Sequence, residues 1–265
     1  MVQRLEYGGV ALWQEGSATH LFLSERDVNG RVHVIEELGD LDTDLYRGSK
    51  RSQRTYGVKF DLIAGGGFTL AELRAAWEVA HSKEGGLRTI ERETGSGAVL
   101  YLDAVPEAPQ WGDDQGPVVL SVAQEYTAPT PLWYAAEATA SDNFDGANPV
   151  ALACNNLGDA PTWIRLLIDG PVEDPKIAYG TEWELEFNIE LLVGDTLAII
   201  CKTPASAWYT PIATGIPARA YGWKTDATMF RLAKLPTGNH DLTLTATAGA
   251  GLCTVYWSPL YEALQ

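Results

Sequence analysis

The clearest pattern of hydrophobic and polar positions lies in the second half of the chain, from Thr181 to Leu191. The apolar set there is Trp183, Leu185, Phe187, Ile189 and Leu191, and the polar set is Glu182, Glu184, Glu186, Asn188 and Glu190. A period of two is typical of a strand with one buried and one solvated face. Gly194-Asp195 then turns the chain into a second apolar run, Thr196–Cys201. The segment predicts an antiparallel sheet packed on a core.

Similar short runs continue through the rest of the second half. Turn residues separate them at fairly even intervals, which is typical of a two-layer β-sandwich. The predicted strands are Val150–Asn155, Trp163–Asp169, Glu182–Leu191, Thr196–Lys202, Met229–Leu232, His240–Ala248 and Cys253–Ser258. We therefore expect a domain built almost entirely from strands.

The first half predicts strands around one helix. Short strands are expected at Val10–Trp13, Leu21–Leu23, Val32–Ile35, Tyr56–Ala64, Leu87–Arg92, Ala98–Val105 and Val118–Tyr126. Asn29-Gly30 is a strong tight-turn signal before the third of them. The segment Glu36–Thr55 is polar, charged and poor in periodicity, so we expect a long loop there.

The helix is predicted from Leu70 to about Lys83. Thr69 and Glu72 have the spacing of a capping box, in which each side chain satisfies a free backbone N–H at the start of the helix. Its predicted buried face comprises Leu70, Leu73, Trp77 and Ala80. The glycine pair at 85–86 ends it.

The small, polar and acidic stretch Ala135–Asn148 predicts a boundary between two domains. Residues 1–135 would form the domain that contains the helix, and residues 136–265 would form the sandwich. A chain of 265 residues is long enough for two ordinary domains.

The chain is strongly acidic, with a formal net charge of −16 at pH 7. Both halves contribute equally: residues 1–134 carry 12 Lys and Arg against 20 Asp and Glu, and residues 135–265 carry 7 against 15. Such a chain repels nucleic-acid phosphates and lacks the basic amphipathic face that an anionic membrane attracts. We therefore expect neither stable nucleic-acid binding nor membrane insertion.

Cysteine usage and the N-terminus favour folding in a reducing cytoplasm. The N-terminus has no apolar core followed by a small-residue cleavage site, which predicts no signal peptide. Cys154, Cys201 and Cys253 are far apart and have no CxxC spacing. Buried free thiols are therefore expected rather than a disulfide framework or a zinc site.

Motifs that carry catalytic chemistry are missing from the sequence. The four histidines have no metal-ligand spacing, and neither a nucleophile elbow nor a P-loop occurs. We therefore predict no catalytic residues, no cofactor and no metal site. Glu182, Glu184 and Glu186 share one strand face and could serve a glycosidase if two of them flanked a cleft. A solvated face that blocks edge-to-edge aggregation is the favoured interpretation.

Two groups of side chains are candidates for contacts with partners. The basic cluster comprises Arg47, Lys50, Arg51, Arg54 and Lys59, and the first four are the candidate contact residues. It fits a solvated loop, a nucleic-acid contact, or an arm that pairs with an acidic neighbouring subunit, and loop or arm is favoured. The aromatic group comprises Trp208, Tyr209, Tyr221 and Trp223, in sequence typical of loops. These rings could stack on sugars, but a subunit interface or the core is favoured.

A series of short motifs covers most of the chain. They are Val28–Val32, Arg54–Ile63, Leu70–Trp77, Ala128–Tyr134, Asn156–Pro161, Ile168–Pro171, Pro175–Ile177, Gly194–Ile199 and Trp257–Tyr261. In order and spacing the chain resembles the distal tail protein family of long-tailed, non-contractile bacteriophages, also described as siphovirus-type tail components or minor tail proteins.

The resemblance implies a mainly β fold with two parts. The first is a tail-tube-like β-barrel or split sandwich with one α-helix, and the second is a galectin-like or carbohydrate-module-like β-sandwich. It also implies a structural, non-enzymatic role in a ring of six subunits at the tail tip of the virion, assembled in the host bacterial cytoplasm.

The partners that the resemblance implies are other proteins of the tail. They are further copies of this chain, the tail tube protein, the tape measure protein, and tail-associated hub, fibre or receptor-binding proteins. DNA would pass through the ring without stable binding.

Two other functions remain open from the sequence. The second domain could be a module that binds glycans of the host wall through Trp208, Trp223 or their neighbours. An enzymatic alternative, a glycan hydrolase on a sandwich fold, would need two carboxylates that converge in a cleft, which the pattern does not show.

Overall fold

The structure is a computed structural model, and its described part is mainly β with one α-helix, as the sequence predicts. Contacts divide the chain into two compact units: unit 1 is Met1–Ala135 with Tyr261–Gln265, and unit 2 is Ala136–Leu260. The described residues are 2–14, 20–36, 45–65, 67–94, 97–114, 118–130, 132–146, 148–202, 206–225, 228, 230 and 233–262.

Unit 1 is a split sandwich made from one bent sheet. Its strands are β1 Val2–Tyr7, β2 Val10–Gln14, β3 His20–Glu36, β4 Leu45–Ile63, β5 Arg88–Thr94, β6 Val99–Pro106, β7 Gln110–Asp114, β8 Val119–Ala128 and β9 Trp133–Ala135. The main order is β2-β1-β5-β6-β8-β4-β3, with β7 on β8 and β9 on β6. β6 pairs with β5 along most of its length but meets β8 only at Val105 and Pro106, so the sheet divides there into two halves.

The core of unit 1 lies between these halves and the helix α1, Leu70–Ala80. Leu73 and Trp77 are the helix side chains in this core, and the Trp77 ring meets Phe60 of β4 edge-on at 5.3 Å between centroids. The helix is therefore held by packing of its apolar face, which is the usual source of helix stability in proteins.

The predicted capping box of α1 is confirmed. The Thr69 hydroxyl accepts a hydrogen bond from the Glu72 N–H, and the Glu72 carboxylate accepts one from the Thr69 N–H at 2.8 Å. The helix ends at Ala80, earlier than predicted, and a 3₁₀ turn follows at Lys83–Gly85.

Two expectations for the first half are wrong. Asn29-Gly30 makes no turn, because β3 continues through it. The register shifts between Asn29 and Arg31, where β4 accommodates one extra residue, so the dipeptide marks a β-bulge inside a long hairpin. The segment Glu36–Thr55 is not wholly a loop, since residues 45–55 belong to β4. Residues 37–44 lie outside the described residues.

Unit 2 is built from strands, with a 3₁₀ turn at Ala220–Trp223. The strands are β10 Ala138–Asn143, β11 Val150–Asn156, β12 Thr162–Asp169, β13 Val172–Glu173, β14 Lys176–Tyr179, β15 Trp183–Glu186, β16 Glu190–Leu191, β17 Thr196–Ile200, β18 Ser206–Thr210, β19 Ala218–Arg219, β20 Lys234–Leu235, β21 Gly238–Thr245, β22 Ala248–Gly249 and β23 Leu252–Trp257. The last strand of the chain, β24 Leu260–Tyr261, pairs with β9.

Two larger sheets and one small sheet enclose the core of unit 2. Their orders are β10-β23-β12-β17-β18-β19, β11-β21-β14-β15 and β16-β13-β22. Their inner faces contribute to one continuous apolar cluster. This arrangement is the β-rich second half that the strand pattern predicts.

The alternation from Trp183 to Leu191 is reproduced in the burial of the side chains, since every second residue is buried. The prediction of one continuous strand is nevertheless wrong, because the backbone changes partners at Phe187. β15 pairs with β14, the Phe187 N–H donates to the Pro175 carbonyl, and β16 pairs with β13. The predicted strand Met229–Leu232 lies outside the described residues except for Phe230, which is buried.

Candidate functional site

The hairpin of β3 and β4 is the longest element of unit 1, with strands of 17 and 19 residues. β8 pairs with β4 only from Arg54 to Ile63, so residues 45–53 pair with β3 alone in the described part of the chain. We call this two-stranded portion, residues 29–36 and 45–53, the arm. Its outer edges present backbone N–H and C=O groups that a strand of another chain could pair with.

Three of the four predicted basic contact residues, Arg47, Lys50 and Arg51, lie on the arm. Arg51 is opposite Arg31 in the register, and two like charges opposite each other destabilise a sheet unless something compensates them. The arm carries four Lys and Arg against one Glu, in a chain of net charge −16. The connecting residues 37–44 carry four carboxylates. An acidic partner surface would therefore complement the strands of the arm.

Arg54, the fourth predicted contact residue, is placed differently. Its side chain is fully buried in unit 1, and its guanidinium donates a hydrogen bond to the backbone carbonyl of Glu262. Alternation along β4 turns Arg54 to the same buried face as Tyr56 and Val58. The interpretation of Arg54 as part of an exposed basic cluster is therefore wrong. Its spacing from Tyr56 and Val58 could have indicated from the sequence that Arg54 is buried.

An ion pair between a buried arginine and a partly exposed glutamate holds the root of the hairpin. Arg92 of β5 is 4% exposed and donates to both carboxylate oxygens of Glu25 of β3, at 2.9 and 2.6 Å. The Tyr56 hydroxyl of β4 donates to the same carboxylate at 2.9 Å. Burial raises the pKa of Tyr56 well above its usual value, so its hydroxyl stays protonated as a donor. Sequence reasoning missed this network, because its members are far apart in the chain.

His81 is buried at the C-terminal end of α1. Its Nδ1 lies 2.8 Å from the Trp77 carbonyl, and its Nε2 lies 2.8 Å from the Tyr126 hydroxyl. Its ring stacks on Trp77 and Tyr7, at 4.5 and 5.3 Å between centroids. Burial lowers the pKa of His81 to about 4, so the ring is neutral at pH 7. A positive imidazole would interact favourably with the C-terminal end of a helix, but at pH 7 this end is packed against a neutral ring.

The aromatic group of unit 2 does not form one surface. Trp208 and Tyr209 lie on β18 rather than in a loop, and successive strand residues point to opposite faces. The guanidinium of Arg219 lies 5.6 Å from the Trp208 ring centroid. Tyr209 packs on the core and meets Trp223 edge-on at 5.5 Å. Tyr221 lies in the adjacent 3₁₀ turn. The structure thus pairs Tyr209 with Trp223 and leaves Trp208 on the other face.

Asp195 connects two turns of unit 2. From the sequence it is predicted only as a turn residue. Its side chain is buried, and its carboxylate accepts hydrogen bonds from the Leu192 N–H at 3.1 Å, the Ile212 N–H at 2.8 Å and the Tyr209 hydroxyl at 2.8 Å. Burial alone would raise the pKa of Asp195, but these hydrogen bonds, led by that from Ile212, lower it. The ionised carboxylate therefore ties the turn at 192–195 to the loop that begins at Pro211.

The acidic face of β15 makes contacts within unit 2. Glu184 pairs with Lys176 at 2.6 Å, and Glu186 accepts a hydrogen bond from the Thr225 hydroxyl at 3.0 Å. Glu182 is exposed in the turn that precedes the strand. A hydrolase would need two of these three glutamates in a cleft, and two of the three are engaged with neighbouring side chains.

The three cysteines are buried, as predicted. Burial raises the pKa of Cys154 to about 11 and that of Cys201 to about 12, so both thiols are protonated at neutral pH. Among the described residues, no group of three or more His, Cys, Asp or Glu side chains could hold a metal ion. Within the same residues, no helix has the length and apolar character needed to cross a membrane.

The sequence matches no protein-family model and no curated protein. The fold, in contrast, is similar to that of the Dit protein (gp 19.1) of SPP1, a paradigm of the hub adsorption apparatus of phages that infect Gram-positive bacteria. The TM-score is 0.65 and the identity 15%, over 97% of this chain and 98% of that one. A chain of the activated phage P2 baseplate with Ca is also similar, with a TM-score of 0.51 and 9% identity over the whole of both chains.

The first of these neighbours is described as a phage hub protein, and the second is a chain of a phage baseplate. The mainly β fold expected from the sequence resemblance is confirmed. The chain therefore has the fold of the SPP1 Dit protein over nearly its whole length.

Proposed function

We propose that this chain is a structural distal tail protein, the hub at the tail tip of a long-tailed, non-contractile bacteriophage. The observation that carries the proposal is the fold similarity to the SPP1 Dit protein over 97% of the chain, including both units. The order of the sequence motifs supports it independently. In this role the protein is part of the virion, has no enzymatic activity, and assembles in the cytoplasm of the host.

The hub would be a ring of six copies of this chain. It would connect the tail tube and tape measure proteins to other tail-associated proteins, which are further hub proteins, fibre proteins or receptor-binding proteins. The arm supports this part of the proposal, because its outer strand edges pair with no other described strand and it carries basic residues in an otherwise acidic chain. We infer that the arm of each copy binds the adjacent subunit of the ring. The galectin-like unit 2 would then project from the ring.

The net charge of −16 suits the channel of such a ring. Negative surface charge repels phosphate groups, so DNA could pass through the opening without being retained. Attachment to the host would follow from the adsorption proteins that the hub holds. The separation of Trp208 from Tyr209 and Trp223 offers no single platform for a sugar ring.

Negative-stain imaging of the purified protein tests the proposal directly. We expect annular particles with six-fold symmetry and a central hole, and a sedimentation coefficient that corresponds to six chains. Monomeric particles at every protein concentration, without rings, would contradict the proposed hub.

A further inference from the structure

Unit 2 exposes four large aliphatic side chains on two neighbouring turns. Leu192 and Val193 are 58% and 73% exposed, and Ile212 and Ile216 are 66% and 70% exposed. We call these four residues the apolar tip. Single exposed aliphatic residues are common on protein surfaces, but a group of them typically marks an interaction site.

The two turns of the apolar tip are tied together, because the buried Asp195 carboxylate accepts a hydrogen bond from a backbone N–H in each turn. The turns are also in contact, because a β-carbon added to Gly194 would overlap the Ile212 side chain. Gly194 has φ of +86°, which a side chain would strain further. A surface held in one arrangement before binding loses less conformational entropy when it binds.

The charges near the apolar tip restrict what it can bind. Between Leu191 and Arg219 the charged residues are Asp195, which is buried, Lys202, which follows the end of β17 that is remote from Gly194, and Arg219, whose guanidinium lies 5.6 Å from the Trp208 ring centroid. Beside the tip, Glu190 lies two residues before Leu192. Glu190 is exposed and directly opposite the exposed Glu173 in the antiparallel register.

Two carboxylates opposite each other on adjacent strands repel. A cationic group on a partner would remove this repulsion, so the tip and the glutamate pair together fit a surface with an apolar groove and Lys or Arg at its rim. The same pair disfavours an anionic membrane and a second copy of the tip. Sugar recognition normally uses aromatic rings and polar groups, which the four aliphatic residues do not supply.

We propose that the apolar tip, with Glu173 and Glu190, is a docking site for a protein segment that combines aliphatic or aromatic side chains with Lys or Arg. The proposed docking site does not depend on whether the chain forms a ring. It adds a contact surface on unit 2 that is separate from the arm and from the aromatic group.

A random linear peptide library displayed on a carrier, and selected on the full-length protein, tests this site. We expect selected peptides to be rich in apolar and basic residues. Their affinity, measured by fluorescence anisotropy, should fall about ten-fold or more in the variant Leu192→Ser/Ile212→Ser. Both backbone N–H groups remain available to Asp195 in this variant. The affinity of the selected peptides should also fall several-fold in the variant Glu173→Gln/Glu190→Gln, and the remaining affinity should depend less on salt concentration.

Leu157→Ser is the matched control, because Leu157 is 70% exposed in unit 2 but lies outside the tip. Near-ultraviolet circular dichroism confirms that each variant is folded. The proposal is overturned if the library yields no binders, or if the binders lack basic residues or bind the tip variant as well as the control. Binding of anionic vesicles through the tip, or self-association lost in the tip variant, would also overturn it.

Discussion

His81 is enclosed by the rings of Trp77 and Tyr7 and bonded through both nitrogens. Since the ring is neutral, Nδ1 donates to the Trp77 carbonyl and Nε2 accepts from the Tyr126 hydroxyl. Protonation would remove that acceptor and place a charge in the core, near the guanidinium of Arg88 that also disfavours it. The helix end is thus stabilised by a neutral ring.

This arrangement predicts a dependence of stability on pH. The pKa of His81 is about 4 in the folded protein and ordinarily 6.5, so the unfolded chain binds more protons between these values. The stabilisation is complete above pH 6.5 and is lost as the pH falls toward 4, by about 3 kcal/mol at most. Urea unfolding across this range should show a smaller loss for His81→Gln than for the wild type. Equal losses in both proteins would contradict the neutral assignment.

Asp195 gives a second prediction at this scale. Asp195→Ala leaves two backbone N–H groups and the Tyr209 hydroxyl without their acceptor. We expect a decrease of about 3 kcal/mol in the free energy of unfolding, since hydrogen bonds to a charged group are among the stronger ones. Asp241→Ala, at an exposed position of β21, is the control and should change it little. A similar small change in both variants would show that the carboxylate does not hold the turns.

At the scale of elements, the root of the β3–β4 hairpin depends on Glu25 and Arg92. Glu25→Leu leaves the guanidinium of Arg92 buried without its carboxylate, which should cost about 3–5 kcal/mol. Arg92→Leu alone should cost less, because the remaining Glu25 is partly exposed. The double variant should regain much of the loss, since apolar side chains often replace a buried pair without penalty. A double-mutant cycle by chemical denaturation measures the coupling, and additive losses would contradict it.

The elements differ in how far sequence could predict them. The helix and the run from Trp183 to Leu191 follow periodicity and capping, which are local, and the structure confirms both the capping box and the alternating burial. The β3–β4 hairpin, in contrast, does not follow such local signals. Asn29-Gly30 favours a turn locally, but pairing with β4 across the register shift continues the strand. The partner change at Phe187 likewise depends on neighbours distant in the sequence.

For the complete chain, strand periodicity and motif order predicted the fold class, whereas the contact surfaces required three-dimensional placement. Arg47, Lys50, Arg51 and Arg54 form one cluster in the sequence, but Arg54 is buried where β4 begins to pair with β8 and therefore lies outside the arm. The apolar tip combines turns almost 20 residues apart, which Asp195 brings together. Neither grouping follows from spacing alone, because each requires a long-range hydrogen bond or strand pairing.

The proposed ring predicts a specific response to charge reversal. Arg47→Glu/Arg51→Glu makes the arm repel an acidic neighbour, so subunit association should weaken by about ten-fold or more. Arg54 is excluded from the test, because a carboxylate at that buried position would unfold unit 1. Lys202→Glu makes the same kind of change at an exposed position of unit 2 and should leave the ring intact.

Sedimentation velocity and negative-stain imaging over a range of protein concentrations measure this response. Added salt should weaken the wild-type ring by screening the contact, and should strengthen the double variant by screening its repulsion. This opposite sign separates an electrostatic contact from general damage to the fold, which salt would not reverse. Rings of equal stability in the wild type and the arm variant would show that the basic side chains do not form the subunit contact, and pairing of the arm's strand edges would have to carry it alone.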